Sequence, residues 1–199
     1  MPVIKYTKAL ERVLKKPVFT PDDMHHEGIR KNYSKKLLFM LAKTGRIRRI
    51  ERGKYTCLDD HIAVAAHITE PCYVSLWTAM SIRNLTTQIP FSVEVVTSRK
   101  RFRKDIDFQG AKIVFHYVSP KLMYGYENII WKENIRILVA RIEKIILDAV
   151  YFGSIPRDEI FNMIKLCNIS RLKEYAKLTK NKRIENKIKE LIKCSLKMR

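Results

Sequence analysis

The sequence predicts an α+β fold, and three observations carry that expectation. Apolar residues recur at helical spacing near both ends of the chain, three alternating or wholly apolar runs in the middle have strand character, and helix-start and turn residues separate them. With 199 residues, 46% of them hydrophobic, the chain can bury a core as one compact domain or two small ones. No run of eighteen uncharged apolar residues occurs, and the Met1 end carries no apolar segment followed by a small-residue cleavage site. A cytoplasmic protein with no membrane partner is therefore expected.

Taken in order, Ile4 to Leu14 reads as a first amphipathic helix, with Ile4, Ala9, Leu10, Val13 and Leu14 near one face. Thr20-Pro21-Asp22-Asp23 then supplies a hydroxyl for the N-cap, a proline at the first helical position and acids beside the free N–H groups. The short helix it starts ends near Glu27-Gly28. From Lys31 to Lys43 a second helix is predicted, because Tyr33, Leu37 and Leu41 repeat every four residues with Leu38 beside them, and Gly45 ends it. Ile47 to Cys57 reads as a basic hairpin turning at Arg52-Gly53. Helix, short helix, helix and hairpin is the order of a winged helix-turn-helix, expected over residues 1–57.

Charge placement supports that expectation. At ~100° per residue with Leu37 at the centre of the buried face, Lys31, Asn32, Lys35, Lys36 and Lys43 fall on the other side. A recognition helix needs this division, one face packing on its domain while the other meets phosphates and base edges in the major groove. The hairpin adds Arg48, Arg49, Arg52 and Lys54 as a wing. A lysine-rich outer face is also what any solvated helix shows. What points to double-stranded DNA is its combination with a basic hairpin and with a stretch, Gly28–Lys54, in which Glu51 is the only acid. Phe39 falls on the outer face as well.

The middle is expected to form a mixed α/β domain with a small sheet over residues 58–153. Its helices are predicted at Asp59–Ile68 and Ser75–Ile82, with Ser75 as a cap, and its strands at Phe91–Thr97, Lys112–Val118 and Ile135–Val139. Ser98–Lys104, six polar or basic residues around Phe102, reads first as a solvated turn and second as a nucleic-acid surface. Arg141–Phe152 is the strongest helical pattern, with Ile142, Ile145, Ile146 and Ala149 apolar and Glu143, Lys144 and Asp148 polar. Helices at Arg157–Cys167, Ser170–Leu178 and Lys182–Leu196 make residues 154–199 a basic helical extension, read foremost as docking on the domain.

Forty Lys and Arg against 20 Asp and Glu leave a formal net charge of +20, which favours a polyanionic partner. The excess sits at the ends: 15 basic against 5 acidic residues over 1–56, 14 against 12 over 57–169, and 11 against 3 over 170–199. Cys57, Cys72, Cys167 and Cys194 include no C-x-x-C and read as ordinary buried thiols. His25 and His26 are adjacent, and His61, His67 and His116 lack a second ligand at metal spacing, so no metal and no cofactor are expected. Glu143 and Lys144 adjoin rather than forming E-x-K, and neither a phosphate loop nor a nucleophile elbow is present, so an enzyme is not expected.

Four stretches together resemble one known family: Phe19-Thr20, Leu41-Ala-Lys-Thr-Gly45-Arg-Ile-Arg-Arg-Ile-Glu-Arg52-Gly53-Lys-Tyr55, Tyr73-Val-Ser75-Leu-Trp-Thr-Ala79, and Val139-Ala-Arg-Ile-Glu143-Lys144-Ile-Ile-Leu147-Asp148-Ala-Val-Tyr151. In order and spacing they are similar to the AbiEi antitoxins of type IV toxin–antitoxin systems, over roughly Phe19 to Phe152. The resemblance implies a winged-helix domain that represses its own operon by binding inverted repeats, and a C-terminal domain that counteracts a nucleotidyltransferase-like toxin encoded by the adjacent gene. It implies DNA reading by Lys31, Asn32, Lys35 and Lys36, wing contacts by Arg48, Arg49, Arg52 and Lys54, and an antitoxin signature in Ser75, Ala79, Glu143, Lys144, Leu147 and Asp148. The expectation is thus a DNA-binding transcriptional repressor of antitoxin type. An orphan winged-helix regulator and a protein-interaction module are its rivals, and a homodimer stays open.

Overall fold

A computed structural model describes residues 6–197, with side chains through residue 195, and the fold is α+β. Ile4 lies outside the described residues. The chain opens with α1 (Thr7–Leu14), α2 (Pro21–His26) and α3 (Lys31–Lys43), followed by an antiparallel hairpin of β1 (Arg48–Glu51) and β2 (Lys54–Thr56). Thr20 and Asp23 form a capping box at the start of α2: the Asp23 N–H donates to the Thr20 hydroxyl, and the Thr20 N–H donates to the Asp23 carboxylate at 2.8 Å. Two of the four free N–H groups of a short helix are satisfied in this way. Gly53 turns the hairpin at φ +78°, a conformation that side chains rarely adopt. Phe19 adds a third rung, exchanging two 2.9 Å backbone hydrogen bonds with Tyr55. Val13, Phe19, Met24, Leu37, Leu41 and Ile47 close a core of their own beneath α3.

The rest of the chain surrounds a six-stranded mixed sheet. Its elements are α4 (His61–Ala65), β3 (Cys72–Val74), α5 (Leu76–Ile82), β4 (Ser92–Thr97), β5 (Asp105–Phe108), β6 (Ala111–Tyr117), β7 (Tyr126–Ile130) and β8 (Arg136–Ala140). The spatial order is β5-β6-β4-β3-β8-β7, with β4/β6 and β3/β8 parallel and the other three pairs antiparallel. The three expected strands are β4, β6 and β8. β3, β5 and β7 were not foreseen: β3 has three residues, β5 reads Asp-Ile-Asp-Phe, and β7 carries Glu127 and Asn128, residue types depleted in strands. The helix expected over Asp59–Ile68 is shorter: Asp60 caps its start by accepting from the Ala63 N–H at 2.8 Å, and it ends at Ala65.

One face of the sheet packs against α4 and against Ile50, which reaches over from the hairpin. The other face is covered by α5 and by α6 (Ile142–Phe152), on which α7 (Arg157–Leu166), α8 (Ile169–Leu178) and α9 (Lys182–Lys197) pack in turn. Ile184, Ile188, Leu191 and Ile192 of α9 join the same apolar cluster as Val139 and Ile145, so the C-terminal helices share a core with the sheet. The polar face expected on α6 is absent: every residue from Glu143 to Val150 is buried, since α5, α7, α8 and α9 all pack on this helix. No helix among the described residues is long and apolar enough to cross a membrane.

Candidate nucleic-acid interface

α3 divides as its periodicity implies. Ser34, Leu37, Leu38 and Leu41 are buried, while Lys31, Asn32, Lys35, Lys36 and Lys43 are exposed and make no ion pair among the described residues. The beginning of this helix contrasts with that of α2. Arg30 holds the N-cap position without a side-chain cap, and the first turn contains no acid. Cations there oppose the positive end of the helix dipole, an arrangement that a bound phosphate would relieve.

The four hairpin cations fall into two pairs. Arg49 and Arg52 are exposed, and neither meets a carboxylate among the described residues. Arg48 and Lys54, expected to grip DNA beside them, are engaged inside the molecule instead. Arg48 pairs with Asp59 at 2.6 Å, while Lys54 pairs with Glu51 at 3.0 Å and donates to the Ile68 carbonyl. Both are fastenings between the hairpin and the chain that follows it. Glu51 also accepts from Arg101 at 2.7 Å. Burial disfavours its charged form, but the Lys54 hydrogen bond and the Arg101 charge outweigh that and hold its carboxyl below the usual range.

The second expected cluster sits elsewhere and is closed. Ser75 precedes α5 but does not cap it; its hydroxyl donates to the Asp148 carboxylate at 2.8 Å, and the Tyr73 hydroxyl donates to the same oxygen at 3.1 Å. Lys144 pairs with the other Asp148 oxygen at 2.9 Å, with both side chains about as buried as any in the molecule. Its ammonium also lies 5.5 Å from the Tyr73 ring centre and 4.8 Å from that of Tyr124. Burial, then the Asp148 charge, push the hydroxyls of Tyr73 and Tyr124 far above their ordinary value, so both stay protonated. Glu143 accepts from the Asn168 N–H at 2.9 Å and lies 3.6 Å from Arg171, tying α6 to α8. Gly125 completes the packing, since a Cβ there would stand 2.6 Å from the Tyr175 ring. Ala79 and Leu147 are buried as well. These residues hold the sheet, α6 and α8 together, with Ser75, Glu143, Lys144 and Asp148 all buried.

No protein-family model matches the chain, and no curated protein is similar to it at a significant level. The four thiols are free; Cys72 is buried, and Cys57, Cys167 and Cys194 are half-buried. Burial pushes the Cys72 thiol up to about 12 and that of Cys167 up to about 11, which keeps both in the unreactive thiol form.

Residues missed by sequence reasoning fall into two groups. Tyr124 carried no signal, and Tyr73, though within a stretch of the resemblance, gave no sign of its contact with Lys144 and Asp148, because that spacing is set by the fold. Arg99, Lys100 and Arg103 were visible as a basic run. What was not visible is the surface they share with the hairpin, fixed by the contact of Arg101 with Glu51, fifty residues earlier.

Proposed function

We propose that the protein is a transcriptional repressor that binds double-stranded DNA through a winged helix-turn-helix formed by α1 to β2. The observation that carries this reading is a set of exposed cations, on α3 and at Arg49 and Arg52, that have no acidic partner among the described residues. In this reading Lys31, Asn32, Lys35 and Lys36 meet base edges and nearby phosphates in the major groove, and Arg49 and Arg52 hold the backbone. Arg48 and Lys54 position the hairpin. Gel shifts over a salt series test it: binding weakens steeply with salt, by a slope of roughly −0.9 per phosphate contacted. Salt-insensitive binding, or no binding, contradicts it. The toxin-counteracting role rests on the sequence resemblance; co-expression with the product of the adjacent gene tests it, rescue of growth being the expected result.

A second reading, a protein-docking module, is favoured by Phe39 and Met40, which stand 62% and 44% exposed on α3. It requires a stoichiometric complex with a partner protein, or a second copy of the chain, and no retention of DNA.

A further inference from the structure

We propose that the hairpin and the loop Ser98–Lys104 form a second phosphate-binding groove, which takes the sugar–phosphate backbone of the same duplex beyond the wing. The inference rests on the DNA-binding reading above and extends its footprint into the sheet domain. The groove has a volume of about 880 Å³, with Arg49 and Arg52 on the hairpin side and Arg99, Lys100 and Arg103 on the loop side. β1 runs beside β5, the strand that follows the loop, so the two walls are held by the fold.

The floor is built. Arg101 is pinned by Glu51 at 2.7 Å and lies 4.1 Å over the Phe115 ring, with its side chain 12% exposed. Its Nε is buried and has no hydrogen-bond partner among the described residues. Glu51, the one carboxylate lining the groove, is taken up by Lys54 and Arg101. The five cations of the two walls are therefore left without any counter-charge among the described residues, and their mutual repulsion falls when a polyanion enters. Phe102 stands wholly exposed at the rim, between Arg101 and Arg103, where an apolar ring can lie against a sugar or a base. A backbone fits better than a compact phosphate ligand, because the charges are spread along both walls of an open groove and two of them already belong to the wing.

The test uses the full chain and its own upstream duplex, followed by fluorescence anisotropy over a salt series. Combined replacement of Arg99→Ala, Lys100→Ala and Arg103→Ala is expected to lower the salt slope by roughly two to three. Binding to upstream and scrambled duplexes should weaken alike, by tenfold or more, with the preference between them kept. Arg99→Lys with Arg103→Lys should retain most of the affinity, and unchanged melting temperatures confirm that the variants fold. If the wild type binds and the triple variant keeps its slope, the groove is refuted while the winged-helix reading stands. If the wild type binds no duplex, that reading fails first and the groove with it. If the variant loses only binding to single-stranded RNA or to an acidic protein, the groove serves that partner and the proposal is overturned.

Discussion

Lys144 on α6 and Lys35 on α3 are the same side chain on helices that both present an apolar face to a core, yet their surroundings are opposite. Lys144 is buried, held 2.9 Å from Asp148 and enclosed by two tyrosine rings. Lys35 is exposed on a face that bears four other polar or basic residues and no acid. The charge of this molecule is thus directed two ways. On α6 every charge is answered from within, so it organises structure. On α3 and at Arg49 and Arg52 no carboxylate among the described residues answers, so that charge is available to something outside.

Breaking the inner region should give the largest effect. Lys144→Ala leaves Asp148 buried and uncompensated, a change expected to cost about 3–5 kcal/mol. Thermal unfolding should then fall by roughly 10 °C, with DNA affinity per folded molecule unchanged. Lys144→Met combined with Asp148→Leu should recover part of the loss, since the pair is then replaced rather than split.

Breaking the outer region should invert the pattern. Arg49→Ala with Arg52→Ala is expected to weaken binding to every duplex by roughly tenfold, about 1.4 kcal/mol, while leaving the melting temperature within a degree or two. A fall in stability with affinity intact would mean that these arginines belong with Lys144.

Thr20→Ala makes the start of α2 as uncapped as that of α3. It removes the one side-chain cap of α2 and is expected to cost about 1 kcal/mol, read as a drop of roughly 2–4 °C in unfolding temperature.

The smallest effect concerns the fastening of hairpin to loop. Glu51 has its folded-state value below the ordinary 4.5, so its contribution to stability is fully present above that value. It disappears as pH falls through the lower folded value. Unfolding measured between neutral pH and about 3 should therefore show a component of acid sensitivity that Glu51→Gln lacks.

Local chemistry made much of the N-terminal half legible. Thr20-Pro21-Asp22-Asp23 marks a helix start through its own hydrogen bonds, the spacing of Leu37 and Leu41 marks α3, and Gly53 supplies the turn that a two-residue loop requires. The sheet was half legible. β4, β6 and β8 are apolar runs, whereas β5 alternates over only four residues, too few to stand out, and β7 breaks alternation by placing Ile129 and Ile130 side by side at the sheet's edge. The reading of Glu143, Lys144 and Asp148 as a polar face failed for a different reason. Periodicity places residues on a helix but does not tell how many neighbours surround it, and α6 has packing partners on every side. Arg48 and Lys54 show the same limit, because Asp59 and the Ile68 carbonyl meet them only in the folded chain.

Whether the outward face of α3 reads sequence decides the DNA-binding proposal. The direct measurement is equilibrium binding of Asn32→Ala with Lys35→Ala, against the wild type, on the protein's own upstream duplex and on a scrambled duplex at one fixed salt concentration. The variant is expected to lose preference for the upstream duplex by about 1–3 kcal/mol while its binding to scrambled DNA changes far less. Equal losses on both duplexes, or an unchanged preference, would contradict the proposal.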